Sequence, residues 1–116
     1  MRTLNLTRSV SVTIDGTGAA EAQLGPSMPG EVWLPESINV SMTGTAPAGV
    51  ATCTTYAGGV ISPGTFVDAT YQVLGAASSV IAGKTVYPGQ SIFALWAGCT
   101  PGQTATLAVS GTRQVP

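Results

Sequence analysis

The sequence predicts an all-β protein: one antiparallel β-sandwich, Ig-like or jelly-roll-like, or a flattened barrel, with residues 1–116 forming a single domain. Three observations carry this. Apolar and polar residues alternate with period two over long stretches, the mark of a strand with one face covered. Turn signals recur roughly every ten residues, as sandwiches and barrels require. No window shows helical spacing over two turns, and 15 Gly and 8 Pro work against helices throughout.

Taken in order, Leu4, Leu6, Val10, Val12 and Ile14 share one parity, interrupted only by Arg8. Thr3, Asn5, Thr7, Ser9, Ser11 and Thr13 share the other, so a long half-buried strand is expected here. Asp15-Gly16-Thr17-Gly18 reads as a hairpin turn, with a weaker return strand carrying Ala20, Ala22 and Leu24. Gly25 to Gly30 is a loop by composition. Val32-Trp33-Leu34 is followed by Pro35, which confines that point to an edge, a bulge or a strand start. Ile38, Val40 and Met42 then alternate with Ser37, Asn39, Ser41 and Thr43 as another strand.

Thr43 to Gly49 reads as a loop, Val50 to Tyr56 as a short strand, and Gly58 to Gly64 as a long exposed loop. Val67, Ala69, Tyr71 and Val73 mark a strand, Gly75 to Ser79 a small-residue turn, and Val80 to Val86 a broken strand. Ser91 to Ala97 is apolar on both parities and is expected to be covered on both faces. Thr104 to Thr112 alternates again, and the intervening Gly98-Cys99-Thr100-Pro101-Gly102 suggests a closing hairpin. The expected core is Leu4, Val10, Val12, Ile38, Val40, Phe93, Trp96, Leu107 and Val109. Pro-Gly recurs at residues 29, 63, 88 and 101, as turn chemistry rather than a repeat, because the flanking sequence does not recur.

The composition narrows function by exclusion. Only 8% of residues are charged, against about a quarter in ordinary domains. The hydrophobic fraction is 44% and the mean hydropathy +0.34, which argues against disorder. Four basic residues (Arg2, Arg8, Lys84, Arg113) and a net charge of −1 provide no stripe for nucleic acid. No membrane span is expected, and MRTLNLTRSV has no apolar signal-peptide core. Synthesis in a reducing cytoplasm favours free thiols at Cys53 and Cys99, although sequence alone leaves a bridge open. With no His and no CxxC, neither zinc nor any other cofactor is expected.

Reactive constellations are sparse. Glu31 and Glu36 lie close enough in sequence for an acid/base pair, yet beside a Pro-bearing turn they read as solvated charges. A Ser or Cys nucleophile would have only Lys84 as a base. Gly16-Thr17-Gly18 precedes no helix and is no phosphate cradle, and the scattered acids lack calcium-loop spacing. Trp33, Tyr56, Tyr71, Tyr87 and Trp96 offer rings for a sugar platform, with Trp96 reading as core. Trp33 is open between core and surface. Arg8 either snorkels to the rim or marks where its strand meets another subunit.

Gly25-Pro26, Pro29-Gly30-Glu31-Val32-Trp33, Pro35, Tyr87-Pro88, Trp96, Gly98, Pro101-Gly102 and the closing Ala105 to Arg113 with its Gly-Thr-Arg end form a spaced pattern. It resembles small all-β virion structural proteins of actinobacterial tailed phages and prophages. The resemblance covers most of the chain, but its motifs are turns and core strands, and it carries over no catalytic or ligand residue. Cys99 departs from it, standing where a small residue is expected, which weakens the case for a bridge.

What the resemblance implies is a non-enzymatic virion component, first a capsid decoration protein on the outer surface of the shell. Its partners would be the major capsid protein or other virion proteins, and copies of itself, with neither nucleic acid nor membrane. A tail or collar accessory domain is the alternative, and a glycan-binding host-adsorption module a further one. Candidate contacts are Arg2, Leu4 and Arg8 on the first strand, with Trp33 and Pro35 on an edge.

Overall fold

The computed structural model describes residues 2–42, 51–71, 75–80 and 84–116. The expected loop Thr43 to Gly49, and Val73 of the expected fifth strand, lie outside them. The described residues form eight strands: β1 (Arg2–Thr13), β2 (Ala20–Leu24), β3 (Val32–Met42), β4 (Thr52–Gly58), β5 (Phe66–Tyr71), β6 (Gly75–Val80), β7 (Ser91–Ala97) and β8 (Thr104–Val115). They form two four-stranded antiparallel sheets, β1-β8-β3-β6 and β2-β7-β4-β5. Every connection except β4–β5 passes from one sheet to the other, which gives the eight-stranded jelly-roll arrangement. Of the expected core, Ile38, Val40, Trp96, Leu107 and Val109 are buried between the sheets, while Phe93 is buried on the other face of β7, level with Gln23 and Tyr56.

Four sequence expectations require correction. Neither expected hairpin exists: β1 and β2 lie in different sheets, and so do β7 and β8. A turn sequence marks where the chain reverses, not whether the next strand pairs with the last. Here both turns are arches between sheets, and they are bonded to each other. Ile14 N–H donates to Gln103 O (2.9 Å), Gly102 N–H to Ile14 O (2.9 Å) and Cys99 N–H to Gly18 O (3.0 Å). Gly18 has φ +82°, and a Cβ there would stand 2.6 Å from the Cys99 carbonyl oxygen. The two arches approach as closely as they do because that position has no side chain.

Residues 75–79, expected as a turn, belong to β6, which pairs with β3 over Ser37 to Met42. Of the expected strand Val80 to Val86, Val80 closes β6 and Val86 makes an isolated bridge with Trp33, while residues 81–83 lie outside the described residues. Small residues resemble a turn in composition but pair readily once a long neighbour supplies the ladder.

Leu4, Val10 and Val12 are only half-buried. They have the inward parity, but β1 is an edge strand and one flank of its side chains is open.

Trp33 and Pro35, expected at an edge, are buried: β8 pairs with this end of β3 on one flank and Val86 bridges Trp33 on the other, while β6 joins β3 only from Ser37. A bulge between Pro35 and Ser37 makes this possible. Glu36 is the additional residue, so Trp33 and Pro35 face inward before it and Ile38, Val40 and Met42 after it. The facing Gly111 leaves room, since a Cβ there would meet Leu34 O at 2.5 Å and Glu36 N at 2.7 Å. A proline survives in a central strand where the ladder is already irregular.

Candidate interaction surface

The connections 25–31, 59–65 and 84–90 gather at one end of the sandwich, beyond Leu24, Gly58 and Ser91, which lie level across β2, β4 and β7. Each is stiffened by its own hydrogen bonds. In the first, Glu31 Oε1 accepts from Ser27 N–H (2.9 Å) and Met28 N–H (3.4 Å). Its Oε2 accepts from Arg113 Nη1 at 2.6 Å. In the second, the Thr65 hydroxyl donates to Val60 O (2.7 Å) and accepts from Ser62 N–H (3.1 Å). In the third, Tyr87 N–H donates to Gln90 Oε1 (3.1 Å), and Gln90 N–H returns to Tyr87 O (2.9 Å).

This end carries large apolar side chains in the open. Among the described residues the exposed large hydrophobics are Met28 (48%), Val60 (63%), Ile61 (36%), Phe66 (46%) and Tyr87 (55%). All five belong to these connections or, for Phe66, to the first residue of β5. Two of them, Ile61 and Phe66, line an open recess of about 570 Å³ with Tyr56, Ser62 and Pro63. The Tyr56 and Phe66 rings meet edge to face, their centroids 6.2 Å apart. Free-standing domains seldom leave so much apolar surface together unless something covers it.

The outward face of the first sheet is chemically opposite. From Thr3 to Thr13 the outward positions of β1 are all Thr, Ser or Asn, and the facing positions of β8 are Thr, Ser, Ala or Gln. Hydroxyls pair across strands, Ser11 with Thr106 (2.9 Å) and Ser37 with Ser110 (2.6 Å). Glu36, displaced at the bulge, is the carboxylate beside this face.

The chain matches no protein-family model and no curated protein.

Each residue singled out from sequence now has a place. Arg2 and Arg8 are exposed on β1, and Leu4 is half-buried beside Arg113 in the ladder. Trp33 and Pro35 are interior and leave the candidate surface. Glu31, expected in solvent, is 1% exposed and committed to Arg113, while Glu36 is exposed, so the two form no catalytic pair. Burial would raise the Glu31 carboxyl; the Arg113 guanidinium and the Ser27 and Met28 amides outweigh it and hold it below its ordinary value. Asp15 is held low by the Thr17 hydroxyl, then by the Ala19 and Thr17 amides, as the anchor of its own arch.

Cys53 and Cys99 are free and buried. Burial and the neighbouring Cys99 push the Cys53 thiol up to about 12, and burial also raises Cys99. Neither is an activated nucleophile. No group of three His, Cys, Asp or Glu among the described residues is placed to hold a metal ion. The residues that sequence reasoning missed are Met28, Val60, Ile61 and Phe66. Their signal was large apolar residues inside segments that otherwise read as loop.

Proposed function

We propose that this protein is a non-enzymatic virion structural protein, a capsid decoration protein that seats its apolar loop end on the outer surface of the shell. The observation that carries the reading is the gathering of Met28, Val60, Ile61, Phe66 and Tyr87 at one end of the sandwich. Loops already stiffened by internal hydrogen bonds lose little freedom on docking, so more of the burial appears as affinity. The resemblance of the turn and core pattern to actinobacterial phage proteins supplies the partner, a major capsid protein. Many modest interfaces of this kind, bridging neighbouring subunits, reinforce a shell under pressure from packaged DNA.

Particles lacking the protein should assemble but release DNA at a lower temperature, and adding it back should restore them. Phe66→Asp should fail to restore them while melting as the parent does. Copy number on purified particles separates the sites: many copies place it on the shell, a few on the tail or collar.

A second reading rests on the same end. Phe66 and Tyr87 expose rings there, with Tyr56 in the recess wall, and exposed rings stack on sugars in host-adsorption modules. Particles equally stable without the protein but unable to adsorb to cells would favour that reading.

A further inference from the structure

The long free edge of the first sheet offers a different surface. β1 runs for 12 residues and pairs with β8 without a register break. Proteins usually blunt an exposed edge with short strands, lysines, prolines, bulges or a covering segment. The other edges follow that practice in part: β2 has 5 residues, β6 has 6, and the β4–β5 ladder is irregular at Thr55/Tyr56. β1 contains no lysine or proline, and its charges are Arg2 at its first residue and Arg8 within it. Its inward side chains Leu4, Val10 and Val12 remain half-exposed.

We propose that β1 pairs antiparallel with β1 of a second copy, about a two-fold axis at Thr7. The pattern is self-complementary in that register. Leu4 falls opposite the second copy's Val10, Leu6 opposite its Arg8 and Arg2 opposite its Val12. On the outward face Thr3 meets Ser11, Asn5 meets Ser9, and Thr7 meets itself. Residues 2–12 of both copies overlap. An axis at Arg8 sets two guanidinium groups opposite each other, which like-charge pairing disfavours. A shift by one residue sets apolar side chains against hydroxyls along the whole strand. An axis at Ser9 shortens the overlap. The net charge of −1 opposes association only weakly, and pairing covers the open flanks of Leu4, Val10 and Val12. The joined sheet has eight strands, and its hydroxyl face runs unbroken across the axis.

Sedimentation of the full chain across a dilution series tests this. A species of twice the 11.6 kDa chain mass is expected, and Val10→Lys should return it to the monomer while keeping the β-sheet circular dichroism. Thr7→Cys places one thiol on the axis and should form a linked dimer under mild oxidation, whereas Ser11→Cys should not. A monomer throughout the series, with Thr7→Cys unlinked, overturns the proposal and leaves the edge for a strand from another protein. Cross-linking of Ser11→Cys as readily as Thr7→Cys overturns the register. Neither outcome depends on the shell or on the apolar loop end.

Discussion

Arg113 Nη1 lies 2.6 Å from Glu31 Oε2, joining the end of the last strand to the loop ahead of β3 across 82 residues of sequence. Arg113 faces inward from β8, with Leu4 of β1 on one side of it and Trp33 of β3 on the other. The carboxylate closes off a position that would otherwise leave a cation facing the core. It also binds Ser27 and Met28, so one pair ties the C-terminal strand to one of the three exposed loops.

Glu31→Gln should therefore destabilise the fold at neutral pH. Removing one member of a buried pair costs about 3–5 kcal/mol, and the 18% exposure of the Arg113 side chain places this case near the lower end. The folded carboxyl sits below its ordinary value of 4.5. Its contribution is therefore complete above that pH and is lost as pH falls through the folded value. Denaturant midpoints measured down an acid series should show that loss in the parent and a shallower one in the variant.

Trp96, 1% exposed, has inward-facing neighbours in the ladder: Ala20 of β2 and Cys53 of β4. Trp96→Ala should cost about 3–5 kcal/mol. Tyr87→Ala, at the exposed end, should stay within about 0.5 kcal/mol of the parent. Equal melting of the two variants would remove Trp96 from the core.

Gly18→Ala should cost about 1–3 kcal/mol through a strained positive φ, with the clash against Cys99 O adding to it. Gly16→Ala, in the same arch, meets nothing within 4 Å and should be nearly silent. Thermal unfolding of the pair separates contact between the arches from a general effect of replacing glycine.

The thiols give a chemical check. Native protein at mildly alkaline pH should resist thiol reagents, because burial keeps Cys53 and Cys99 protonated. In denaturant both should label without prior reduction. A chain that refuses label there and is lighter by a pair of hydrogens contains a bridge.

Much of this fold was legible in period-two patterning. The alternation at Ile38, Val40 and Met42 and at Ala105, Leu107 and Val109 identifies the inward faces correctly, and the two-sided apolar run at residues 91–97 marks an interior strand. What patterning lacks is the identity of neighbours. Asp15 to Gly18 has the same turn chemistry whether the next strand lies beside the last or in the opposite sheet. Leu4 and Ile38 look alike in sequence and differ in burial because β1 is an edge and β3 is not. Glu31 reads as a surface acid until Arg113 is brought to it. The apolar end was harder still, since Met28, Tyr87 and the Val60 to Phe66 segment stand far apart in the chain and reach one end of the sandwich only through the order in which the strands connect.

The hydroxyl face of the first sheet has a consequence for the media in which the protein works. Ionic strength acts by screening charge, and its reach is about 8 Å at physiological salt. Along β1 and β8 that face holds only Thr, Ser, Asn, Ala and Gln, with Glu36 at its margin. There is almost nothing there for counterions to screen. A contact made through this face holds alike in dilute water and in brine, and its strength depends instead on how well the opposing surface replaces the water bound to a row of hydroxyls.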